Sequence, residues 1–353
     1  MSESVSIVAE TADRIFADLA DAQTINSAKN GNWKKPLWSA LTEAGLPLSW
    51  IAEDLGGASV SLAEGFSVIS AAGRHALPVP LVETMLAGWL LSQGGIASPA
   101  GAMTVAPCSP RDRISMDADG MLSGRARGVP FAEEAQIAVL ATTPKGFVVA
   151  LVDTLACRIE AGETIGHDAS NLVVFDDVKP VVVKTAPKNF TPMSLMLMGA
   201  TVRSLQMAGA LETMLNISVA YANERVAFEK KIAKFQAIQH NLAQLAGEVA
   251  AALTASGSAA DTIASGEASH DALLLEVASA KIRCAEAAEK GAAIAHQVHG
   301  AIGFSMEHIL HRYTMRALAW RDDFGHETWW ATEFGKSVAA NGADDLWPLV
   351  ASR

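Results

Sequence analysis

Residues 225–236, RVAFEKKIAKFQ, separate two long stretches in which Ala, Leu and Met predominate. A helical pattern of apolar residues runs from about residue 192 to the end of the chain. It is broken again in SGEASHD, residues 265–271, and at Gly300 and Gly303. Long apolar helices joined by short breaks are typical of an antiparallel bundle. We therefore predict a four-helix-type bundle over residues 189–353, with four or five helices.

The pattern changes upstream of the bundle, between residues 99 and 188. Short runs rich in β-branched residues alternate there with turns that contain Pro, Gly and Asp. This pattern predicts a small antiparallel β unit, either a sandwich or a barrel. The five runs are MTVAP, GMLSGRARGVP, AQIAVLAT, GFVVALV and NLVVFDDV.

Residues 1–98 have the pattern of packed helices. Apolar residues from Val5 to Leu19 recur at helical spacing, and Pro36 suits the first turn of a second helix that Gly45 ends. Ser61 and Glu64 form a capping-box pattern at the start of a further helix. The predicted fold is mainly α with a central β domain, divided into residues 1–98, 99–188 and 189–353.

Composition excludes several classes of function. The chain has 353 residues, 50% of them hydrophobic, and a formal net charge of -11, which argues against sequence-independent binding to nucleic acid. No window reaches the roughly 18 apolar residues of a membrane span. Three widely spaced cysteines predict no disulfide framework and favour a reducing compartment. We expect a cytoplasmic protein.

Histidines offer little support for a metal site. His296 and His299 are three residues apart, as are His308 and His311, so each pair shares a helix face. Zinc would need further ligands from elsewhere in the chain. Buried imidazoles or cations at helix ends are the simpler interpretation, and we predict no metal.

Three stretches carry more specific motifs. The first is residues 45–84, with Ala52-Glu-Asp-Leu-Gly-Gly57 at its centre. The second is residues 225–236, which match Arg-x-x-Phe-x-x-x-Ile-x-x-Phe-Gln, and the third is residues 297–307, QVHGAIGFSME. Together with the order of helices, strands and bundle, they resemble the acyl-CoA dehydrogenase family over nearly the whole chain.

The resemblance implies FAD as the cofactor, shared between neighbouring subunits. It assigns FAD contacts on the partner's cofactor to five residues: Arg225, Phe228, Gln236, Gln297 and Gly300. An arginine fork suits a pyrophosphate, an aromatic ring covers a flat heterocycle, and glycine allows a close backbone approach. The alternative interpretation makes Arg225 a surface arginine at a helix end and Gly300 a helix cap.

Other positions depart from the family pattern. Members carry Thr-Glu-Pro-x-Ala-Gly-Ser-Asp where residues 103–112 read MTVAPCSPRD, and a Trp-Ile-Thr strand where residues 125–130 read RARGVP. Glu229 and Ala301 replace glycines of the second and third motifs, and Ala52 replaces a proline of the first. The departures at residues 103–112 and 125–130 concern the flavin-ring side of the site.

The position of the catalytic base also departs from the family pattern. The family's reaction needs a carboxylate near the α carbon of the thioester, and members place it at one of two positions. Counting along this chain puts Phe324 at one and Gly199 at the other, so neither is acidic. Asp322, Asp323 and Glu327 are the substitute candidates, although a charged turn between helices is often simply solvated.

The function implied is that of an FAD-dependent acyl-CoA dehydrogenase, or a subunit of one, acting in lipid or steroid catabolism. The alternative is a non-catalytic subunit that completes the FAD site of a catalytic chain. A bundle retained only for assembly is a third hypothesis. The expected partners are an acyl-CoA substrate, a homo- or hetero-oligomer (dimer or tetramer) and an electron-transfer flavoprotein.

Overall fold

The computed structural model describes residues 6–28 and 30–351, and it begins with helices. Val5, at the start of the predicted first helix, lies outside the described residues. The Ser61 hydroxyl accepts a hydrogen bond from the Glu64 N–H, so Ser61 is the N-cap as predicted. The Glu64 carboxylate accepts from the Ser61 hydroxyl rather than from the Ser61 backbone N–H, so the predicted capping box is only half formed. The sequence analysis did not predict the short helix Ala22–Ser27. The helices are α1 Ile7–Leu19, α2 Ala22–Ser27, α3 Lys34–Glu43, α4 Leu62–Arg74 and α5 Leu81–Gln93.

The middle of the described chain forms one sheet of eight strands, in the order β6-β7-β3-β2-β4-β5-β8, with β1 paired to β4. The sheet is mixed, because β1 runs parallel to β4 and β2 meets β4 in parallel at one residue pair. The prediction of a purely antiparallel unit was therefore wrong in this respect. The strands are β1 Met103–Ala106, β2 Arg113–Met116, β3 Leu122–Pro130, β4 Gln136–Thr143, β5 Gly146–Val152, β6 Arg158–Glu160, β7 Ser170–Val178 and β8 Val182–Thr185.

Strands β4 and β5 are buried on both faces, which explains their continuous apolar runs. Leu140 and Leu151 belong to a hydrophobic cluster that also contains side chains of the N-terminal helices and the bundle. Their neighbours Val139 and Val152 point to the other face and join a second cluster, formed within the sheet unit. The sheet is thus packed against helices on one side and closed over its own core on the other.

Six helices follow the sheet in the described residues, rather than the four or five predicted. The predicted breaks near residues 225–236, at 265–271 and at Gly300 are confirmed as connections between them. Among the described residues, none of these or the earlier helices has the length and hydrophobicity needed to cross a bilayer. The helices are α6 Pro192–Glu224, α7 Gln236–Ser265, α8 His270–His299, α9 Leu310–Trp320, α10 Glu327–Asn341 and α11 Ala343–Ala351. A two-stranded hairpin, β9 Val226–Ala227 and β10 Lys230–Lys231, joins α6 to α7.

Candidate functional site

The five residues predicted to contact a cofactor lie at one end of the bundle. Helix α6 ends and α7 begins on either side of the β9–β10 hairpin, and the short connection after α7 makes α8 antiparallel to it. Tyr221, in the last turn of α6, stacks on His299, the last residue of α8, with ring centroids 4.4 Å apart. The second and third sequence motifs therefore meet in space.

The hairpin loop displays an aromatic ring to the outside. Phe228 and Glu229, its two central residues, have φ values of 51° and 63°, as the favoured two-residue hairpin loops require. Glu229 stands where the resemblance predicts glycine, yet it adopts the left-handed backbone conformation that glycine favours. The side chain of Phe228 is 88% exposed. The backbone of the motif is therefore retained although its glycine is not.

The polar members of the set have no partner within the described chain. Arg225, Gln236 and Gln297 are exposed, and their side chains make no hydrogen bond or ion pair to any described residue. Gly300 caps α8 with φ of 65°, and a Cβ placed there would have no atom within 4 Å. The exposed guanidinium, the two carboxamides, the open backbone at Gly300 and the exposed Phe228 ring are chemically suited to the adenine and pyrophosphate end of FAD.

A packed group of histidines supports this end of the bundle from within. His296 stacks on Phe304 at 4.2 Å, and His299 lies 4.8 Å from His308, ring centroid to ring centroid. Burial is the largest cause that lowers the pKa of these three imidazoles and of His311. They are aromatic packing groups at neutral pH. In the described part of the chain, no three side chains of ligand type converge on a possible metal position.

The flavin-ring side of the site differs from the adenine side, because buried side chains occupy it. Gly199 and Phe324, the two positions at which the family carries its base, face each other. A Cβ on Gly199 would lie 2.3 Å from Cδ1 of the Phe324 ring. The Phe324 N–H donates to the Cys108 carbonyl at 2.8 Å, and its carbonyl accepts from Trp330 Nε1 at 3.0 Å. The two positions found by counting along the sequence, Gly199 and Phe324, therefore lie next to each other in the fold. Neither position carries a carboxylate.

Beside Phe324 lies a buried ionic cluster that sequence reasoning missed. Arg203 of α6 contacts the Glu83 carboxylate of α5 at 2.9 Å and the Asp323 carboxylate at 2.8 Å. Although burial by itself lowers the pKa of Arg203, the two carboxylates raise it above its ordinary value. Burial raises the pKa of both carboxyl groups, with Arg203 opposing. Arg203 is the only charged residue between Pro192 and Leu211. A single charge in such an apolar stretch could have indicated a buried ion pair from the sequence alone.

A buried lysine lies close to the same cluster. The Lys281 ammonium of α8 donates to the backbone carbonyls of Trp320 and Arg321, at 3.2 and 2.6 Å. Burial lowers the pKa of Lys281 to about 8, with Asp323 opposing. These bonds hold the C-terminal end of α9, and hence the turn that carries Phe324.

Little free volume remains around the cluster. The cavity between Val82, Val105, Val202 and Phe324 measures about 10 Å³. Ligand sites typically measure about 300–1,000 Å³. This cavity is therefore far too small to hold an acyl group.

The three substitute candidates for the base lie in different environments. Asp322 is exposed, and Asp323 is bonded to Arg203. Glu327, at the start of α10, accepts a hydrogen bond from Arg321 at 2.6 Å. Partial burial acts to raise the pKa of Glu327, but its backbone hydrogen bond and Arg321 together hold it below the ordinary value. A catalytic role for any of the three stays a prediction.

The loop that would contact the flavin ring contains another ion pair. Buried Asp112 accepts from the backbone N–H of Arg127 at 2.7 Å and from its Nε at 2.9 Å. Arg127 belongs to the stretch in which the family carries its tryptophan. The pair links the loop after β1 to strand β3, so Arg127 stabilises the sheet.

Comparison with known proteins agrees with the fold and the motifs. The family model "Acyl-CoA dehydrogenase, C-terminal domain" matches residues 191–322. A Mycobacterium tuberculosis protein named acyl-CoA dehydrogenase IpdE2 is 27% identical over 318 residues, covering 89% of this chain and 91% of that one.

Solved structures show the same architecture. The ChsE4-ChsE5 complex from M. tuberculosis contains a chain with a TM-score of 0.86 and 23% identity, covering 97% of this chain and 99% of that one. A Tcur3481-Tcur3483 steroid ACAD variant gives a TM-score of 0.82 and 24% identity, over 96% and 98% of the two chains. The bundle thus matches the C-terminal domain model of the acyl-CoA dehydrogenases, and most of the chain is similar to a protein named as such a dehydrogenase.

Proposed function

We propose that the chain is a subunit of an FAD-dependent acyl-CoA dehydrogenase, which removes hydrogen from Cα and Cβ of an acyl-CoA thioester. The observation that carries the proposal is the meeting of the two motifs at one end of the bundle. There Arg225, Gln236, Gln297 and Gly300 are exposed, and the three side chains lack partners in the described chain.

In this proposal the residues of the chain bind and orient one end of the cofactor. The Arg225 guanidinium pairs with the pyrophosphate, since its planar fork matches two phosphate oxygens. Phe228 covers a flat ring, Gln236 and Gln297 donate or accept hydrogen bonds, and Gly300 lets the backbone approach closely. FAD, when bound, supplies the acceptor for the hydride that leaves Cβ.

A second candidate function is that of a non-catalytic subunit, with the base and the flavin-ring contacts on another chain. The observation that favours it is the filled ring side, where Phe324 packs on Gly199 and about 10 Å³ remains. The fold relative named as a two-protein complex supports a hetero-oligomer, a dimer or tetramer, in this proposal. The exposed residues that we propose contact FAD are compatible with either candidate function, because they are accessible to a cofactor held by a neighbouring chain.

The finer assignments belong to the same proposal. The steroid ACAD named among the fold relatives supports a bulky acyl-CoA substrate of lipid or steroid catabolism. The proposed electron acceptor is an electron-transfer flavoprotein, as the family resemblance implies. Three free cysteines within the described chain support a cytoplasmic location. We retain the domain limits 1–98, 99–188 and 189–353, which fall between Gln93 and Met103 and between Thr185 and Pro192.

An absorbance spectrum and an acyl-CoA-dependent dye-reduction assay test the proposal, on the chain alone and after co-expression with the protein encoded beside it. We expect the alone sample to carry far less than one FAD per chain, and the co-purified complex to be yellow and active. A lone chain with stoichiometric FAD and activity would eliminate the second candidate and support the first. Failure to retain FAD or activity in both samples would contradict both.

Arg225→Ala is expected to weaken FAD binding by the assembled protein about 10- to 100-fold, the usual range for losing hydrogen bonds to a charged group. Equilibrium dialysis or flavin fluorescence measures the change. The matched control is Arg14→Ala, because Arg14 is also exposed but lies on α1. Equal losses in the two variants would show that the motif does not bind the cofactor.

A further inference from the structure

A cleft of about 610 Å³ lies between the N-terminal helices, the sheet and α9. We propose that it binds an amphipathic carboxylate, with the carboxylate on Arg312 and the apolar part against Trp33 and Phe131. The cleft shares no lining residue with the small cavity at Phe324. The proposal is therefore independent of the FAD site.

Arg312 is the feature of the cleft that calls for a ligand. Its Nε and NH2 atoms are buried, and neither has a hydrogen-bond partner in the described chain. Transfer of an unpaired cation from water into a protein is costly unless an anion compensates it. Burial, followed by the charge of Arg316, lowers the pKa of Arg312 to about 10, so the group is still charged at neutral pH.

The carboxylates that line the cleft are already engaged by other residues. Asp168 accepts from both Nε and NH2 of Arg316, at 2.8 and 2.7 Å. Glu134 faces Lys34 at 3.7 Å. The Glu163 carboxylate lies 3.0 Å from Nδ1 of His167. No carboxylate in the described chain lies within ion-pair distance of Arg312, and Asp168 and Asp21 act on its charge only from farther away. A direct anionic partner for Arg312 would therefore come from a ligand.

The rest of the lining is apolar and partly strained. Ile25, Pro78 and Phe131 are buried, and Trp33 is half-buried. Phe131 has φ of 53°, an uncommon conformation for an aromatic residue, and its N–H donates to the Ala169 carbonyl at 3.2 Å. Strained residues of this kind concentrate at ligand sites.

A second cavity of about 360 Å³ adjoins the cleft; Lys34, Pro78 and Glu134 line both, and Trp38 and Val79 line only the second. Further apolar surface therefore lies beyond the Lys34–Glu134 pair. A single guanidinium fork matches the two oxygens of a monoanionic carboxylate, whereas a phosphate dianion needs further donors. These features together favour a carboxylate with an extended apolar body.

Titration calorimetry of the full chain with decanoate, below its micelle concentration, tests the proposal. We expect saturable 1:1 binding, at least tenfold weaker binding by Arg312→Met, and no comparable binding of 1-decanol or inorganic phosphate. Without ligand, Arg312→Met should melt at the same temperature as the parent chain or higher, because an unpaired buried charge is removed. Arg14→Met is the matched control and should bind decanoate normally.

Three outcomes overturn the proposal: no binding of decanoate, equal binding by the parent chain and Arg312→Met, or equal affinity for decanoate and phosphate. If Arg312→Met does not fold, Trp33→Ala provides the test. It should weaken decanoate binding several-fold. It should also reduce the change in tryptophan fluorescence that decanoate causes in the parent chain. Unaltered binding and fluorescence change in Trp33→Ala would contradict the assigned position of the apolar body.

Discussion

Arg203→Met is expected to lower the free energy of unfolding by about 3–5 kcal/mol, the usual cost of removing one partner from a buried ionic cluster. Arg203 lies between Glu83 and Asp323, at 2.9 and 2.8 Å, and is itself 3% exposed. Methionine fills a similar volume but removes the guanidinium from the buried Glu83 carboxylate and from the half-buried Asp323 carboxylate. Urea unfolding followed by circular dichroism measures the loss.

The loss should depend on pH in a defined direction. Burial raises the pKa of Glu83 and Asp323, so without Arg203 the folded state binds more protons than the unfolded state. Stability of the variant therefore falls as pH rises through the raised folded-state pKa values. We expect Arg203→Met to be less destabilising at pH 5 than at pH 8.

Arg74→Met is the matched control for Arg203→Met. Arg74 also pairs with an aspartate, Asp13, at 2.8 Å, but the two side chains are 32% and 39% exposed. Exposed pairs contribute about 0–1 kcal/mol. A similar cost for the two substitutions would mean that the cluster is solvated and that its burial does not determine its contribution.

The second large effect is expected at the contact between Phe324 and Gly199. Phe324→Ala should cost about 3–5 kcal/mol, because it leaves a cavity in a packed core. Gly199→Ala should cost about 1–3 kcal/mol, since its Cβ would lie 2.3 Å from the Phe324 ring. In Gly199→Ala/Phe324→Ala the new methyl group has room, so the double variant should cost less than the sum. Urea unfolding of the two single variants and the double variant completes this double-mutant cycle.

Phe228→Ala provides the comparison, because that phenylalanine is 88% exposed and its removal leaves no cavity. Its effect on stability should stay within about 0.5 kcal/mol. Costs that add within about 0.5 kcal/mol in the Gly199/Phe324 cycle would show that residues 199 and 324 are not in contact.

Much of the secondary structure was predictable because apolar spacing reports burial directly. The run GFVVALV coincides with strand β5, and the Ser61 cap begins α4 at Leu62. Short strands such as Arg158–Glu160 were missed, because three residues carry too little pattern. The parallel pairing of β1 with β4 was also missed, since strand direction depends on the path of the connecting chain.

The candidate site was predictable on one side only. Arg225, Phe228 and Gln236 lie within twelve consecutive residues, so a local motif identifies them. The buried cluster joins Glu83, Arg203 and Asp323, which belong to three separate parts of the chain. No local pattern relates such residues, and only their burial together gives them a common role.

The amino-acid sequence by itself determined the succession of helices, strands and bundle, and it supplied the two motifs that we propose bind a dinucleotide. Both depend on residues close together in the chain, where backbone preference and side-chain spacing act directly. Tertiary structure alone decided that Phe324 fills the space over Gly199 and that two guanidinium nitrogens of Arg312 are buried without a hydrogen-bond partner in the described chain. Those facts depend on which distant segments exclude water from each other, and burial of that kind arises only when the chain is folded.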